Sequence, residues 1–297
     1  MRVPVPIPEI KIGASKHQRC YPAKEKDMAK IDLPKERVER WKEVMLKKMA
    51  EILEKYRSVR LFLDICVKCG ACADKCQFFL GTGDPKNMPV ARADLLRKVY
   101  KRYFTLGGKV WGRANEAEEL SEGVLQEWIT YFYQCSECRR CSIFCPYGID
   151  TAEITIAARE IMAAAGIATK YVTEVVAKVY DTGNNMGIRP LAWKDMCAFF
   201  EEDLKDTEGE DIKFPVDAVG AEVLLLPPSA DVFVNNNTMA GYAKMFHAAG
   251  ISWTTSTYCN EGGNFGLFLN FANMKKINNR ILEAARQLKV KKIYWGE

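Results

Sequence analysis

The sequence predicts an α + α/β protein, in which a helical domain is followed by an α/β domain with a parallel sheet. Residues 31–180 place apolar side chains at helical spacing around two cysteine-rich runs. Residues 221–297 instead alternate short apolar segments with helical patterns, which is typical of a parallel sheet. Residues 181–220 are rich in acidic side chains and are expected to form a linker between the two domains.

Residues 1–30 are expected to form an extended N-terminal arm, because Pro4, Pro6 and Pro8 each fix φ and remove a backbone donor. The same prolines interrupt any apolar core of signal-peptide type. No apolar stretch reaches the roughly 18 residues of a membrane-spanning helix, so membrane attachment should come through a partner. The formal charge of +5, from 43 basic and 38 acidic residues, is too balanced to indicate nucleic-acid binding.

The helical domain should contain helices before, between and after the cysteine runs. Asp32 and Pro34 predict the start of the first helix, and apolar residues recur at helical spacing as far as Tyr56. Two further helices are expected at residues 90–104 and 115–133.

A helix should also follow the second cysteine run. Asp150 or Thr151 is expected to be its N-cap, and Glu153 should complete a capping box. Pro146 should turn the chain so that Cys145 faces away from its own loop.

The two cysteine runs, residues 66–76 and 135–145, share the spacing C-x₂-C-x₂-C-x₃-C. Three closely spaced thiolates can hold three corners of a cubane [4Fe–4S] cluster, while the fourth thiolate crosses to the other cluster. The runs therefore predict two [4Fe–4S] clusters. The expected ligands are Cys66, Cys69, Cys72 and Cys145 for the first cluster, and Cys135, Cys138, Cys141 and Cys76 for the second.

A structural zinc protein is an alternative interpretation, although zinc sites normally use separated pairs of ligands. The 11 cysteines leave Cys20, Cys197 and Cys259 outside the runs, and this odd remainder argues against disulfides and for a reducing, cytoplasmic location. Four basic residues within the runs either tune the clusters, form a docking surface or are ordinary solvated charges: Lys68, Lys75, Arg139 and Arg140.

The α/β domain should contain strands at residues 221–227, 251–257 and 291–295, with helices at residues 235–250 and 264–288. Because Cys259 follows the second strand, its thiol should lie at the carboxyl end of the parallel sheet, where such sheets place their sites. Cys259 is therefore a candidate for catalysis or metal ligation, and a structural role remains the alternative. The final strand predicts that the sheet continues in a longer polypeptide.

The two cysteine runs, separated by a helical insertion, resemble the helical ferredoxin domains of heterodisulfide-reductase-type iron–sulfur subunits. The α/β part resembles the cysteine-rich "CCG" domain of the same family. The segment TYCNEGGNFGLF, residues 257–268, is similar to the DsrK-like members of the DsrMKJOP and Hdr-like menaquinol-oxidising complexes. The resemblance covers about residue 60 to the end of the chain.

The resemblance implies a cytoplasmic oxidoreductase subunit of dissimilatory sulfur metabolism, held at the membrane by a haem b, quinol-oxidising partner of DsrM type. Its clusters would pass electrons to a non-cubane [4Fe–4S] centre that reduces a disulfide or trisulfide of a small DsrC-like protein. The sequence departs from the family at Pro227, Pro228 and Ser229, where a ligand cysteine is expected, and has Tyr258-Cys259-Asn260 in place of Cys-Cys-Gly. Such proteins also continue beyond this point with more cysteines.

A second enzyme class has similar runs and CCG domains. The iron–sulfur subunits of glycerol-3-phosphate, glycolate or lactate dehydrogenases pass electrons from a flavin partner towards quinone. The direction of electron flow distinguishes this alternative from the first.

Overall fold

The computed structural model describes residues 22–209, 211–261 and 264–295. Most of the expected N-terminal arm, together with Cys20, lies outside these residues. The described chain forms two compact units, one of residues 22–25 and 33–170 and the other of residues 26–32 and 171–295. No helix within the described ranges is long and apolar enough to cross a membrane.

The helices and strands are numbered in chain order. They are α1 Glu25–Lys30, α2 Trp41–Lys55, α3 Arg57–Ile65, α4 Gln77–Thr82, α5 Pro89–Phe104, α6 Leu106–Trp111, α7 Glu122–Gln134, α8 Arg140–Ile143, α9 Thr151–Ala164, α10 Lys170–Thr182, α11 Pro190–Glu208, β1 Val223–Leu226, α12 Ser229–Phe233, α13 Asn236–Ala248, β2 Trp253–Thr254, α14 Phe271–Gln287 and β3 Lys292–Trp295.

The first unit is helical, as the sequence predicts, and α9 lies at its centre. This helix is buried over almost its whole length and contacts α2, α3, α5 and α7. Trp128 and Phe132 of α7 are fully buried beside it, with their rings edge to face at 5.5 Å. This packing fixes the helices that enter and leave the two cysteine runs.

Helix boundaries follow local capping chemistry. Asp150 is the N-cap of α9, as expected, because its carboxylate accepts from the N–H groups of Ala152 and Glu153. The expected capping box is only half formed, since the Glu153 carboxylate accepts from the Ser58 hydroxyl. The first long helix begins at Trp41 rather than near Asp32, which has a left-handed φ of 55° instead of capping a helix.

The second unit contains a small parallel sheet, which confirms that part of the predicted fold. Its strand order is β2-β1-β3, with Val223 paired to Trp253 on one side and to Lys292 on the other. All four residues of β1 are buried. The strands are shorter than the expected segments, and β2 spans two residues.

The segment expected to be a linker, residues 181–220, contains the 19-residue helix α11. Four of its side chains are buried in one hydrophobic cluster with β1 and α13: Trp193, Cys197, Phe200 and Leu204. Their spacing of four, three and four residues is a helical stripe, which the acidic residues between them conceal in the composition. The division between the two units falls near residue 170 rather than at the expected boundaries of 180 and 220.

Candidate cluster-binding site

Both cysteine runs begin at the end of a helix. Cys66 is the C-cap of α3 and Cys135 is the C-cap of α7. The second run leads into the long helix α9, and the first run leads through the short helix α4 to the long helix α5. Two copies of one local arrangement therefore carry the eight cysteines.

The backbone of the two runs bends in the same way. Lys68 and Gly70 have φ values of 57° and 78°, and the equivalent Glu137 and Arg139 have 56° and 58°. Left-handed conformations on either side of the second cysteine curl the chain around the thiols. A side chain other than glycine pays about 1–2 kcal/mol for this conformation, so three of the four positions need compensating contacts.

Five thiols line a small cavity at the first run. Cys66, Cys69 and Cys72 come from the first run, and Cys145 and Cys141 come from the second. The structure thus brings Cys145 to the expected set, and it places Cys141 of the other set at the same cavity. The remaining lining is largely apolar and includes Val90, Ala93 and Ile149. A thiol-rich, apolar cavity fits an iron–sulfur cluster, whose ligands are thiolates.

The residues on either side of Cys76 contact the second run. Lys75 places Nζ 4.8 Å from the centre of the Phe144 ring, and Gln77 Nε2 donates to Ser136 Oγ at 3.0 Å. Within the second run, the Glu137 N–H donates to Cys135 Sγ at 3.4 Å. In this contact the run directs a backbone donor at a cysteine sulfur, and N–H groups directed at sulfur are a feature of iron–sulfur sites.

Burial raises the pKa of the Cys72 thiol to about 11, while a backbone hydrogen bond with Val90 of α5 opposes the shift. Burial likewise raises the pKa of Cys141, opposed by a hydrogen bond with Thr151 of α9. The third cysteine of each run therefore lies beside the N-terminus of the helix that follows. That position opposes the effect of burial, because helix N-termini stabilise negative charge, but the net shift in the cluster-free chain still favours the thiol.

Most of the basic residues in the runs are paired within the chain. Lys68 Nζ lies 3.2 Å from Asp94 and 2.8 Å from Glu116, and Arg139 Nε lies 3.1 Å from Asp150. Hydrogen bonds from Lys68 and then Lys101 lower the pKa of Glu116 to about 2. These pairs compensate the left-handed conformation of Lys68 and Arg139.

Three buried arginines around the runs are not indicated by the cysteine pattern. Arg92 donates to the Tyr131 carbonyl at 2.8 Å, and Arg97 and Arg159 bind carbonyls just before the two runs. A basic residue in the middle of an otherwise apolar helical stripe is the only trace that they leave in the sequence. Within the described ranges, no three His, Cys, Asp or Glu side chains are grouped as they would be around a single metal ion.

Cys259 lies beyond the carboxyl end of β2, where the sequence predicts it, and it is fully buried. Its thiol donates to the Glu261 carbonyl at 3.6 Å, and burial raises its pKa to about 11. The Glu261 carboxylate is also buried and accepts from the N–H groups of Ser229 at 2.9 Å and Asn185 at 3.0 Å. The loop ends of β1 and β2 therefore meet around a carboxylate and one thiol.

Residues 62–149 match the family described as "4Fe-4S dicluster domain". The chain is 46% identical over 279 residues to the Hdr-like menaquinol oxidoreductase iron-sulfur subunit 2 of Archaeoglobus fulgidus, which covers 92% of this chain and 50% of that protein. It is 44% identical over 265 residues to the Hdr-like menaquinol oxidoreductase iron-sulfur subunit of Archaeoglobus profundus, with 87% and 48% covered.

A more distant similarity, 27% identity over 153 residues, is to a dihydromethanophenazine:CoB–CoM heterodisulfide reductase subunit of Methanosarcina barkeri, with 51% of this chain and 36% of that protein covered. No solved structure matches. The chain spans about half the length of the Archaeoglobus proteins. Over most of its length it belongs to the heterodisulfide-reductase-type iron–sulfur proteins that its cysteine runs predict, as a DsrK-like relative of the Hdr-like menaquinol oxidoreductase subunits.

Proposed function

We propose that the first unit holds two [4Fe–4S] clusters and serves as the electron-transfer part of an Hdr-like, membrane-associated oxidoreductase. One observation carries the proposal: thiols from both runs line a single apolar cavity in a chain 46% identical to a menaquinol oxidoreductase iron–sulfur subunit. The proposed ligands are Cys66, Cys69, Cys72 and Cys145 for one cluster, and Cys135, Cys138, Cys141 and Cys76 for the other.

The clusters, when bound, supply one-electron transfer. The protein's part is to hold the thiolates, to exclude water with the apolar lining and to aim N–H groups at sulfur, as Glu137 does at Cys135. Cys69 and Cys138 are the exposed members of the two sets, so the second cysteine of each run lies where a redox partner can approach.

The proposed electron donor is a quinol-oxidising, haem b membrane subunit of DsrM type, which would hold the chain at the cytoplasmic face of the membrane. The proposed acceptor is a disulfide or trisulfide of a DsrC-like protein, in dissimilatory sulfate or sulfite reduction. A non-cubane [4Fe–4S] centre of the CCG type would carry out that reduction in the complete protein. Cys259 is our candidate for it within this chain.

Anaerobic purification tests the cluster proposal. We expect a brown protein with absorption near 400 nm, about eight iron atoms per chain and two cubane signals by electron paramagnetic resonance (EPR) after reduction. Cys69→Ser and Cys138→Ser should each remove one signal, whereas Cys197→Ser should keep both, because Cys197 lies in the second unit's hydrophobic cluster. A colourless protein, or stoichiometric zinc in place of iron, would refute the proposal.

Co-purification from native membranes tests the partner. We expect a haem-containing, quinol-oxidising subunit, and electrons that flow from quinol through this chain towards a disulfide. A flavoprotein partner with electron flow towards quinone would instead establish the dehydrogenase alternative.

A further inference from the structure

The helices that follow the two cysteine runs carry a buried arginine at the same position. Arg97 is the ninth residue of α5, and Arg159 is the ninth residue of α9. Only 4% of Arg97 and 2% of Arg159 is exposed. Burying a charged group costs free energy unless it is paired and hydrogen-bonded, so the partners of these two guanidinium groups indicate what they do.

Each guanidinium binds the same carbonyl of the helix that leads into its run. Arg97 Nε donates to the Leu63 carbonyl at 2.7 Å. Arg159 Nε and Nη2 donate to the Phe132 carbonyl at 3.1 and 2.8 Å. Leu63 and Phe132 each lie three residues before the first cysteine of a run. The last carbonyls of a helix lack a full set of partners inside it and carry partial negative charge, so a guanidinium is a suitable donor to them. The Phe132 carbonyl also accepts from the Cys135 N–H at 3.3 Å.

The ion pairs of the two arginines extend to the same position in each loop. Arg159 Nη1 lies 2.6 Å from Glu137, the left-handed residue directly before the second cysteine. Arg97 pairs with Asp94, whose carboxylate also lies 3.2 Å from Lys68, the equivalent left-handed residue of the first run. Glu137 is acidic and pairs with Arg159 directly. Lys68 is basic, so in the first run the carboxylate of Asp94 lies between it and Arg97.

Arg159 reaches one of the proposed ligands directly. Its Nη2 also donates to the carbonyl of Cys135. The guanidinium therefore joins three parts of the second site: the end of α7, the first cysteine and the loop residue before the second cysteine. A planar fork with several fixed donors can do this, whereas a lysine ammonium presents only a point charge.

From this repeated geometry we infer that Arg97 and Arg159 are matched positioning residues, one for each proposed cluster, which lock the entry helix and the loop of their own run in register. The inference rests on the proposed clusters. Each arginine also places a positive charge near an anionic cluster, and such a charge favours the reduced form. Loss of an arginine should therefore alter one cluster and leave the other unchanged.

The test compares Arg97→Gln, Arg159→Gln and the corresponding lysine variants in the anaerobic full chain. Redox titration monitored by EPR gives the line shape and midpoint potential of each cluster, and Cys69→Ser and Cys138→Ser assign the signals. Arg97→Gln should lower the potential and broaden the signal of the first-run cluster alone, and Arg159→Gln should do so for the second-run cluster alone. The lysine variants should stay closer to the wild-type potential, because they keep the charge, but should show the same broadening.

Arg113→Gln provides the control, because Arg113 is an exposed arginine of the same unit. If the wild type holds two clusters but a folded Gln or Lys variant leaves its own cluster unchanged, the positioning role is refuted and the cluster proposal stands. Equal changes at both clusters would also refute it, since they would show a general loss of packing. Should the Gln variants fail to fold, the Lys variants decide by the same criteria. If the wild type holds no cluster, the cluster proposal itself fails.

Discussion

Cys259 illustrates how burial controls the chemistry of a single thiol. It has no exposed surface, and burial raises its pKa to about 11, with the Arg280 guanidinium acting in the opposite direction. Reaction with a disulfide or an alkylating agent requires the thiolate, which is the deprotonated form above the pKa. In the described conformation, Cys259 is therefore held as a neutral thiol at physiological pH.

Cys259 should resist iodoacetamide in the native protein at pH 8. With a pKa of about 11, only about one thousandth of the thiol is ionised at that pH, and the side chain is also inaccessible. Mass spectrometry of the alkylated cluster-free chain should show rapid modification of the exposed Cys69 and Cys138 and little of Cys259. Denaturation should abolish the difference. Labelling of native Cys259 at the rate of Cys69 would contradict its burial and raised pKa.

Gly183 fixes the position of the Cys259 loop. Its φ is +78°, and its carbonyl accepts from the N–H groups of Asn260 at 3.2 Å and Glu261 at 3.3 Å. A Cβ atom at this position would lie 2.9 Å from the Cα atom of Cys259. Only glycine therefore allows the backbone to approach this closely.

We expect Gly183→Ala to destabilise the protein by about 2–4 kcal/mol, of which about 1 kcal/mol comes from the left-handed φ and the rest from the clash. Gly187→Ala is the matched control. Gly187 has nearly the same φ, +76°, but its Cβ would meet only the flexible Lys178 side chain at 3.4 Å. Urea unfolding of the full chain measures both variants, and equal losses would argue against the close approach at Cys259.

At the scale of elements, α11 shows how an acidic composition can hide a structural helix. Phe200 is 2% exposed and stacks on Phe214 at 5.3 Å, whereas the adjacent Phe199 is 49% exposed. Both residues are phenylalanines of α11 and are adjacent in sequence, but only Phe200 is buried. They therefore separate the packing of α11 from its helical propensity.

Phe200→Ala should cost about 3–5 kcal/mol, because it removes a buried ring and leaves a cavity. Phe199→Ala should cost less than about 1 kcal/mol, since its ring is largely in solvent. Chemical denaturation of the two variants gives the comparison. A small effect at Phe200 would mean that residues 190–208 behave as the linker that the composition predicts.

The elements also show which parts of the structure the sequence determines. Helices with strong capping signals, such as α9 after Asp150, occur where the pattern predicts them. The parallel sheet follows from the alternation of apolar segments. The left-handed conformation of Asp32, just after α1, and the burial of α11 could not be predicted in this way. Asp32 is not a glycine, so its type does not indicate a positive φ, and the burial of α11 depends on tertiary contacts.

The candidate site also has features that the sequence predicts and features that it does not. Cysteine spacing predicts that the backbone of each run curls around its thiols. In the structure this bend includes a left-handed residue after the second cysteine, Gly70 in one run and Arg139 in the other. The buried arginines could not be predicted from cysteine spacing. An arginine on an apolar helical stripe is a weak signal, because the pattern alone does not show whether the guanidinium is buried or reaches solvent. Their function depends on carbonyls that lie 34 and 27 residues away in the chain.

At the scale of the whole molecule, the first unit contains one motif twice. In each copy a helix ends at a cysteine, a loop with two left-handed residues follows, and a long helix returns with an arginine at its ninth position. The copies are interlocked, because Cys145 lines the first-run cavity and Cys76 lies beside residues that contact the second run. Two interlocked copies predict that each proposed cluster depends on both runs.

Serine variants of the fourth cysteines should reveal this exchange of ligands. If Cys145 binds with the first run, Cys145→Ser should leave the same EPR signal as Cys69→Ser, although it lies in the second run. Cys76→Ser should correspondingly match Cys138→Ser. Loss of one thiolate ligand weakens one cluster and need not disturb the other, so each pair of variants should share a residual spectrum and about four iron atoms per chain. If Cys145→Ser matches Cys138→Ser instead, each run holds its own cluster, and the proximity of Cys145 to the first-run cavity reflects packing alone.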